Sequence, residues 1–133
     1  MNTLSTPENV FGYSDAVWQR FVVPTYAGAL SGAAVKTAEA GSSAVKALLR
    51  VSVKIAQDRV TEARFLAYGC PVTIAVGQWL AEQLTGQAFA DLRLKAADIR
   101  LALEIADDKT HCALMGEDVI RRLQMQVQEQ VAT

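Results

Sequence analysis

The hydrophobic pattern of this chain changes period once. Between Leu49 and Ile55 the apolar residues Leu49, Val51, Val53 and Ile55 alternate with Arg50, Ser52 and Lys54, the period of two that a strand with one buried face requires. Gln57-Asp58-Arg59 reads as a hairpin loop, and Val60, Ala63, Phe65 and Ala67 as the returning strand. A shorter, weaker strand is expected over Ala34 to Glu39, closed by a turn at Gly41-Ser42-Ser43. From Pro71 onward the spacing is helical. Pro71 suits the first turn, where its missing N–H has no partner to lose. Ile74, Val76, Leu80 and Leu84 form the apolar stripe, and Gly86 is a C-terminal stop.

Shorter helical signals flank this centre. Ser14 has the character of an N-cap, with Asp15 in the first turn and Pro24 ending the helix. Residues 24–33, with Pro24, Gly28 and Gly32, read as loop or extended chain. Phe89 to Leu92 is a short helical piece, Ala96 to Ile105 a further helix broken by Asp107-Asp108-Lys109, and Ala113 to Val127 the last. Strands followed by helices predict an α+β domain, a small antiparallel three-stranded sheet with helices packed on one face. The expected organisation is a flexible N-terminus over 1–12, one domain over 13–127 and a frayed C-terminus over 128–133.

Composition narrows the function. At 133 residues the chain is long enough for one buried core. Thirteen basic residues oppose fourteen acidic ones, with no basic cluster interleaved with aromatics, so neither nucleic acid nor an anionic membrane is an expected partner. Phe65 to Ala81 is the longest uncharged run. It falls short of the roughly 18 apolar residues of a membrane span and contains Gly69, Pro71, Gly77 and Gln78. Met1 to Asp15 has no basic n-region followed by an apolar stretch. Two cysteines do not make a disulfide framework, and a reduced cytoplasmic setting is the expectation.

The chemistry concentrates in two places. The only histidine, His111, adjoins Cys112 within Lys109-Thr110-His111-Cys112, and Cys70 sits at a Gly-Cys-Pro corner where strand gives way to helix. Thiolate and imidazole are the ligands that soft and borderline metals prefer. A hydrolytic zinc enzyme is the weakest reading, since no His-Glu-x-x-His pattern is present. Trp18 and Trp79 read as core or interface residues, and Asp107-Asp108 as a solvated turn.

These motifs, in this order, resemble the U-type iron–sulfur cluster assembly scaffold family, in particular the N-terminal domain of the nitrogen-fixation scaffold. Tyr13-Ser14 with Val17, Phe21, Pro24 and Gly28 resembles its opening helix and Pro-x-Asn-x-Gly turn, with Tyr26 where Asn is usual. Tyr68-Gly69-Cys70, Ile74-Ala75 and Leu84-Thr85-Gly86 resemble the second-cysteine motif and its helix, and Lys109 to Gly116 the third-cysteine motif. The family's first cysteine lies in a Cys-Gly-Asp turn, and the register places Val45, Lys46 and Ala47 there. The first cysteine ligand and the aspartate are therefore both replaced, making this a degenerate member. The family's Leu-Pro-Pro-Val-Lys stretch is replaced by Ile-Ala-Asp-Asp-Lys at Ile105 to Lys109, so handoff to the chaperone that reads it does not carry over.

The resemblance implies a noncatalytic scaffold with Cys70, His111 and Cys112 as metal ligands, Cys112 as sulfur acceptor and Lys109 in support. It implies a transient iron–sulfur cluster, or Zn²⁺ held weakly, with a cysteine desulfurase as sulfur donor and iron–sulfur proteins as recipients. The protein would be a monomer or weak dimer. The alternative is a paralogue that has lost cluster assembly and acts as a desulfurase-binding adaptor, regulator or sulfur carrier. The positive charge of Lys46 near the site would favour a thiolate or persulfide over a divalent ion.

Overall fold

The computed structural model describes residues 8–132, except 43, 45, 90, 91 and 93. Helix α1 spans Asp15–Val22 and is opened by Ser14, whose side chain accepts from the Val17 amide. Strand β1 spans Val35–Ser42, β2 Ala47–Ala56 and β3 Arg59–Tyr68. They form one antiparallel sheet in the order β1-β2-β3. Helices α2 (Pro71–Leu84), α3 (Ala96–Leu103) and α4 (Thr110–Ala132) follow, with a 3-10 turn at Asp107–Lys109 before α4. This is the α+β arrangement that the change of period predicts.

Alternation along β2 and β3 is what assigns the two sheet faces. Leu49, Val51, Val53, Ala63 and Phe65 are buried, together with Ala38 and Ala40 of β1. They meet α2 and α4, while α1 packs on α2 and α3 on α4. Each fully buried Val or Leu here contributes roughly 1.5–3 kcal/mol of transfer free energy. The opposite face carries the Arg50–Glu39 and Lys54–Glu62 ion pairs. Between β2 and β3 the turn residues Gln57 and Asp58 both take positive φ, 53° and 64°, which matches the right-handed twist of the strands it joins. Two glycines set the helix positions. A Cβ at Gly77 would lie 2.4 Å from the Phe65 ring, and one at Gly116 would lie 2.8 Å from Val76, so their absence lets α2 approach β3 and α4 approach α2.

Four boundaries differ from the periodicity. The turn expected at Gly41 lies two residues later, because β1 continues through Gly41, paired with Leu48, and Ser42, paired with Ala47. Glycine is required there by a φ of 95° and by the Ala47 carbonyl, 2.3 Å from the position of a Cβ. Arg59, expected in the hairpin loop, already pairs with Ala56. Helix α3 stops at Leu103 rather than Ile105 because Glu104 turns left-handed at φ 52°. Helix α4 begins at Thr110 and ends at Ala132, outside the expected span of Ala113 to Val127 at both ends. The short helical piece expected over Phe89 to Leu92 includes residues 90 and 91, outside the described residues. Among the described residues no helix is long and apolar enough to cross a membrane.

Candidate functional site

Two helix N-termini meet at the site. Strand β3 ends at Tyr68, and Gly69 turns the chain with φ 138°. A Cβ at Gly69 would meet Thr73 Oγ1 at 3.1 Å and Ala47 Cβ at 3.4 Å, so the corner is closed on both sides. Cys70 follows as the N-cap residue of α2, in extended conformation, with Pro71 in the first turn. The other half comes from α4. Because this helix starts at Thr110, His111 and Cys112 lie in its first turn instead of before it.

These two corners bring the sulfurs together across 42 residues of chain, with Cys70 Sγ 3.9 Å from Cys112 Sγ. Thr73 Oγ1 lies 3.4 Å from Cys112 Sγ and 3.8 Å from Cys70 Sγ. His111 Nε2 is 3.5 Å from Cys112 Sγ. The two cysteines are free thiols, Cys70 half-buried and Cys112 buried. Cys112 is 0% exposed, so Cys70 is the more accessible of the two thiols.

The charge distribution follows from this geometry. The Cys112 S–H beside it, with the Thr73 and Val72 amides at the positive end of α2, outweighs burial and holds the Cys70 thiol down at about 4. The hydrogen bond to Cys70, reinforced by burial, pushes the Cys112 thiol far up, against the smaller pull of Thr73 and of the Lys109 charge. Both effects favour a thiolate on Cys70 over one on Cys112.

Lys109 is half-buried at the end of the 3-10 turn, and its ammonium reaches Cys112 electrostatically. Lys46 is an exposed turn residue with φ 57°. Ala47 is buried at the start of β2, 4% exposed, and faces Gly69. Val45 lies outside the described residues. Thr73 is the residue that sequence reading missed. Its signal was its position three residues after Cys70, one helical turn along, where a hydroxyl faces the N-cap side chain.

The donor set fits part of a metal cage. Two thiolates bound to one Zn²⁺ at about 2.3 Å stand about 3.8 Å apart in a tetrahedron, and a thiolate and an imidazole about 3.5 Å apart. The Cys70–Cys112 and Cys112–His111 separations, 3.9 and 3.5 Å, match those two edges. The third edge does not close. Among the described residues no three His, Cys, Asp or Glu side chains form a group that could hold a metal ion.

Comparison with known proteins gives a consistent outcome. The family model described as "NifU-like N terminal domain" matches residues 12–131. The iron-sulfur cluster assembly protein IscU of Plasmodium falciparum is 30% identical over 127 residues, covering 93% of this chain and 78% of that protein. The nitrogen fixation protein NifU of a Nostoc species is 29% identical over 120 residues, covering 84% of this chain and 40% of that longer protein. Among solved structures, the N-terminal part of a nitrogen-fixing NifU-like protein from Brucella abortus superposes with a TM-score of 0.71 at 15% identity, over 86% of this chain and 93% of that one. At that identity the superposition speaks for the fold alone.

Proposed function

The chain belongs to the NifU-like N-terminal domain family, and from that premise we propose that it is an iron–sulfur cluster assembly scaffold that accepts sulfur and iron at the Cys70–Cys112 pair. The observation that carries this reading is the 3.9 Å approach of the two thiols, built from the ends of a strand and two helices far apart in sequence. The relatives named for cluster assembly support it. The protein acts by holding cargo and not by catalysis. Among the described residues, Thr73 Oγ1 lies against both sulfurs and His111 Nε2 against Cys112.

Iron and sulfide are the cargo, assembled transiently. Cys70 and Cys112 supply two thiolate ligands and His111 a third donor once its ring swings toward the pair. A weakly held Zn²⁺ uses the same edges. A [2Fe–2S] centre takes four protein ligands, usually cysteines, and Val45 and Ala47 contribute none, so a partner chain or a small thiol completes the cluster. Sulfur arrives from a cysteine desulfurase in the reduced cytoplasm, and recipient iron–sulfur proteins take the product.

The test is anaerobic reconstitution with ferrous iron and sulfide, followed by counting of metal and acid-labile sulfide. Substoichiometric, chelator-labile iron and sulfide is the expected result. Sulfur accepted from a desulfurase with no iron or sulfide retained would favour the sulfur-carrier reading. A desulfurase complex in which neither cysteine is modified would favour the adaptor reading.

A further inference from the structure

We propose that the two thiols divide the work of turning sulfane sulfur into sulfide, Cys70 accepting the sulfur as a persulfide and Cys112 resolving it within the same chain. The inference rests on the sulfur-accepting reading above and goes beyond it by assigning a chemical conversion to the pair.

Three features of the geometry carry it. The sulfurs differ in access, since Cys70 is half-buried at a corner while Cys112 has 0% of its surface exposed. A bulky donor reaches only the first. They are also close enough to react in turn. From 3.9 Å, closure to the about 2.05 Å of a disulfide needs a movement of about 2 Å, within reach of side-chain rotation at the two helix starts. Finally, Thr73 Oγ1 lies against both sulfurs, and His111 Nε2 is 3.5 Å from Cys112, so the resolving thiol is held in place between a hydroxyl and an imidazole.

The two electrons that reduce the sulfur come from the thiol pair itself. Cys112 Sγ attacks Cys70 Sγ of the persulfide, and the Cys70–Cys112 bond forms as the bond to the terminal sulfur breaks. The terminal sulfur leaves with the electron pair. The Cys112 proton ends on it, so the product is hydrogen sulfide. The terminal sulfur is reduced, and Cys112 is oxidised from thiol to half of a disulfide. A dithiol reductant restores both thiols before the next cycle.

The experiment uses the full chain, fully reduced and anaerobic, treated with one equivalent of inorganic polysulfide and followed by intact mass and peptide mapping. Wild type should lose two hydrogens and show the Cys70–Cys112 disulfide, with no lasting extra sulfur, while a sample without polysulfide keeps both thiols. Cys112→Ala should keep one extra sulfur on Cys70 about tenfold longer or more, the loss expected when a positioned attacking group is removed. Wild type that keeps a persulfide on Cys70 beside a free Cys112 overturns the proposal. So does a Cys70→Ala variant that gains the sulfur on Cys112, or a chain that takes up none. Should Cys112→Ala not fold, the wild-type mass alone decides. Repeating the experiment with a desulfurase and cysteine separates the two readings. Disulfide from polysulfide but no sulfur from the desulfurase would sink the partner assignment and leave the conversion standing.

Discussion

Removing the Cys112 thiol should return Cys70 part of the way toward an ordinary cysteine, by an amount that can be worked out. The S–H of Cys112 is the largest influence holding Cys70 at about 4, ahead of the Thr73 and Val72 amides. A hydrogen bond to a charged group contributes about 1.5–3 kcal/mol, and one pKa unit corresponds to about 1.4 kcal/mol. Cys112→Ala should therefore raise the Cys70 pKa by about one to two units. The amides remain, so it should stay well below the about 8.5 of a free thiol. The substitution also removes a sulfur from a site with 0% exposure, at a stability cost of about 1–2 kcal/mol.

The assay is the rate of iodoacetamide alkylation of Cys70 against pH, read by peptide mass. In wild type the rate should be level from neutral pH down to about 5 and fall only as pH drops through about 4. In Cys112→Ala the fall should begin one to two units higher. Above it, the plateau should be about 2.5- to tenfold faster, because nucleophilicity rises with thiol pKa with a Brønsted slope of about 0.4–0.5. Cys112 itself should resist alkylation throughout, being both buried and protonated. An unchanged midpoint for Cys70 in the variant would refute this account of the pair. So would a wild-type Cys70 that reacts only above about pH 8, the behaviour of a thiol with no perturbation.

Other outcomes follow from the same contacts. Binding of one divalent ion by both thiolates displaces the Cys112 proton, so affinity should rise about tenfold per pH unit above about pH 5, measured by competition with a chromophoric chelator; a flat profile would show that Cys112 does not ligate. Val45→Cys with Ala47→Asp should increase the visible absorption after iron and sulfide reconstitution, since it restores a thiolate and a carboxylate where the family has them; equal, strong absorption from wild type and variant would show that these positions do not limit cluster binding. Gly77→Ala should lower the melting temperature, because its Cβ would sit 2.4 Å from the Phe65 ring, and overpacking at about 1–3 kcal/mol outweighs the helix propensity gain of about 1 kcal/mol; unchanged melting would mean that the ring gives way without cost.

The sheet was legible because β2 alternates in sequence from Leu49 to Ile55, and only one register buries Leu49, Val51 and Val53 together. The end of β1 was not, because Gly41 reads as a turn residue while its positive φ here serves close packing against the Ala47 carbonyl inside a paired strand. The start of α4 was misplaced for a related reason. Asp107-Asp108-Lys109 carries a breaker signature, yet it forms a 3-10 turn that leads directly into the helix. Cys70, His111 and Cys112 were identifiable as residue types, and their juxtaposition followed from motif order; no spacing argument joins positions 42 residues apart. The order of access to the two sulfurs was beyond the sequence, because it depends on how deeply the first turn of α4 packs and on the absence of a side chain at Gly116.

On the scaffold function proposed above, that packing decides which cargo the site takes most readily. A divalent ion must displace the proton from a sulfur with no exposed surface and draw an exposed His111 inward before it gains a third ligand. Sulfane sulfur needs only one accessible thiolate, which Cys70 already is, stabilised by a helix N-terminus and by a neighbouring S–H. The replacements at Val45 and Ala47 weigh on the two cargoes unequally. They remove a thiolate and a carboxylate from a cluster cage, whereas sulfur acceptance at Cys70 uses neither. Ala47 also faces Gly69 as a buried methyl, where a carboxylate would carry a desolvation cost. Sulfur acceptance should therefore survive in this chain at iron concentrations too low to load it. Sulfuration followed by iron titration should find sulfur bound first, and iron bound tightly before any sulfur arrives would reverse that order.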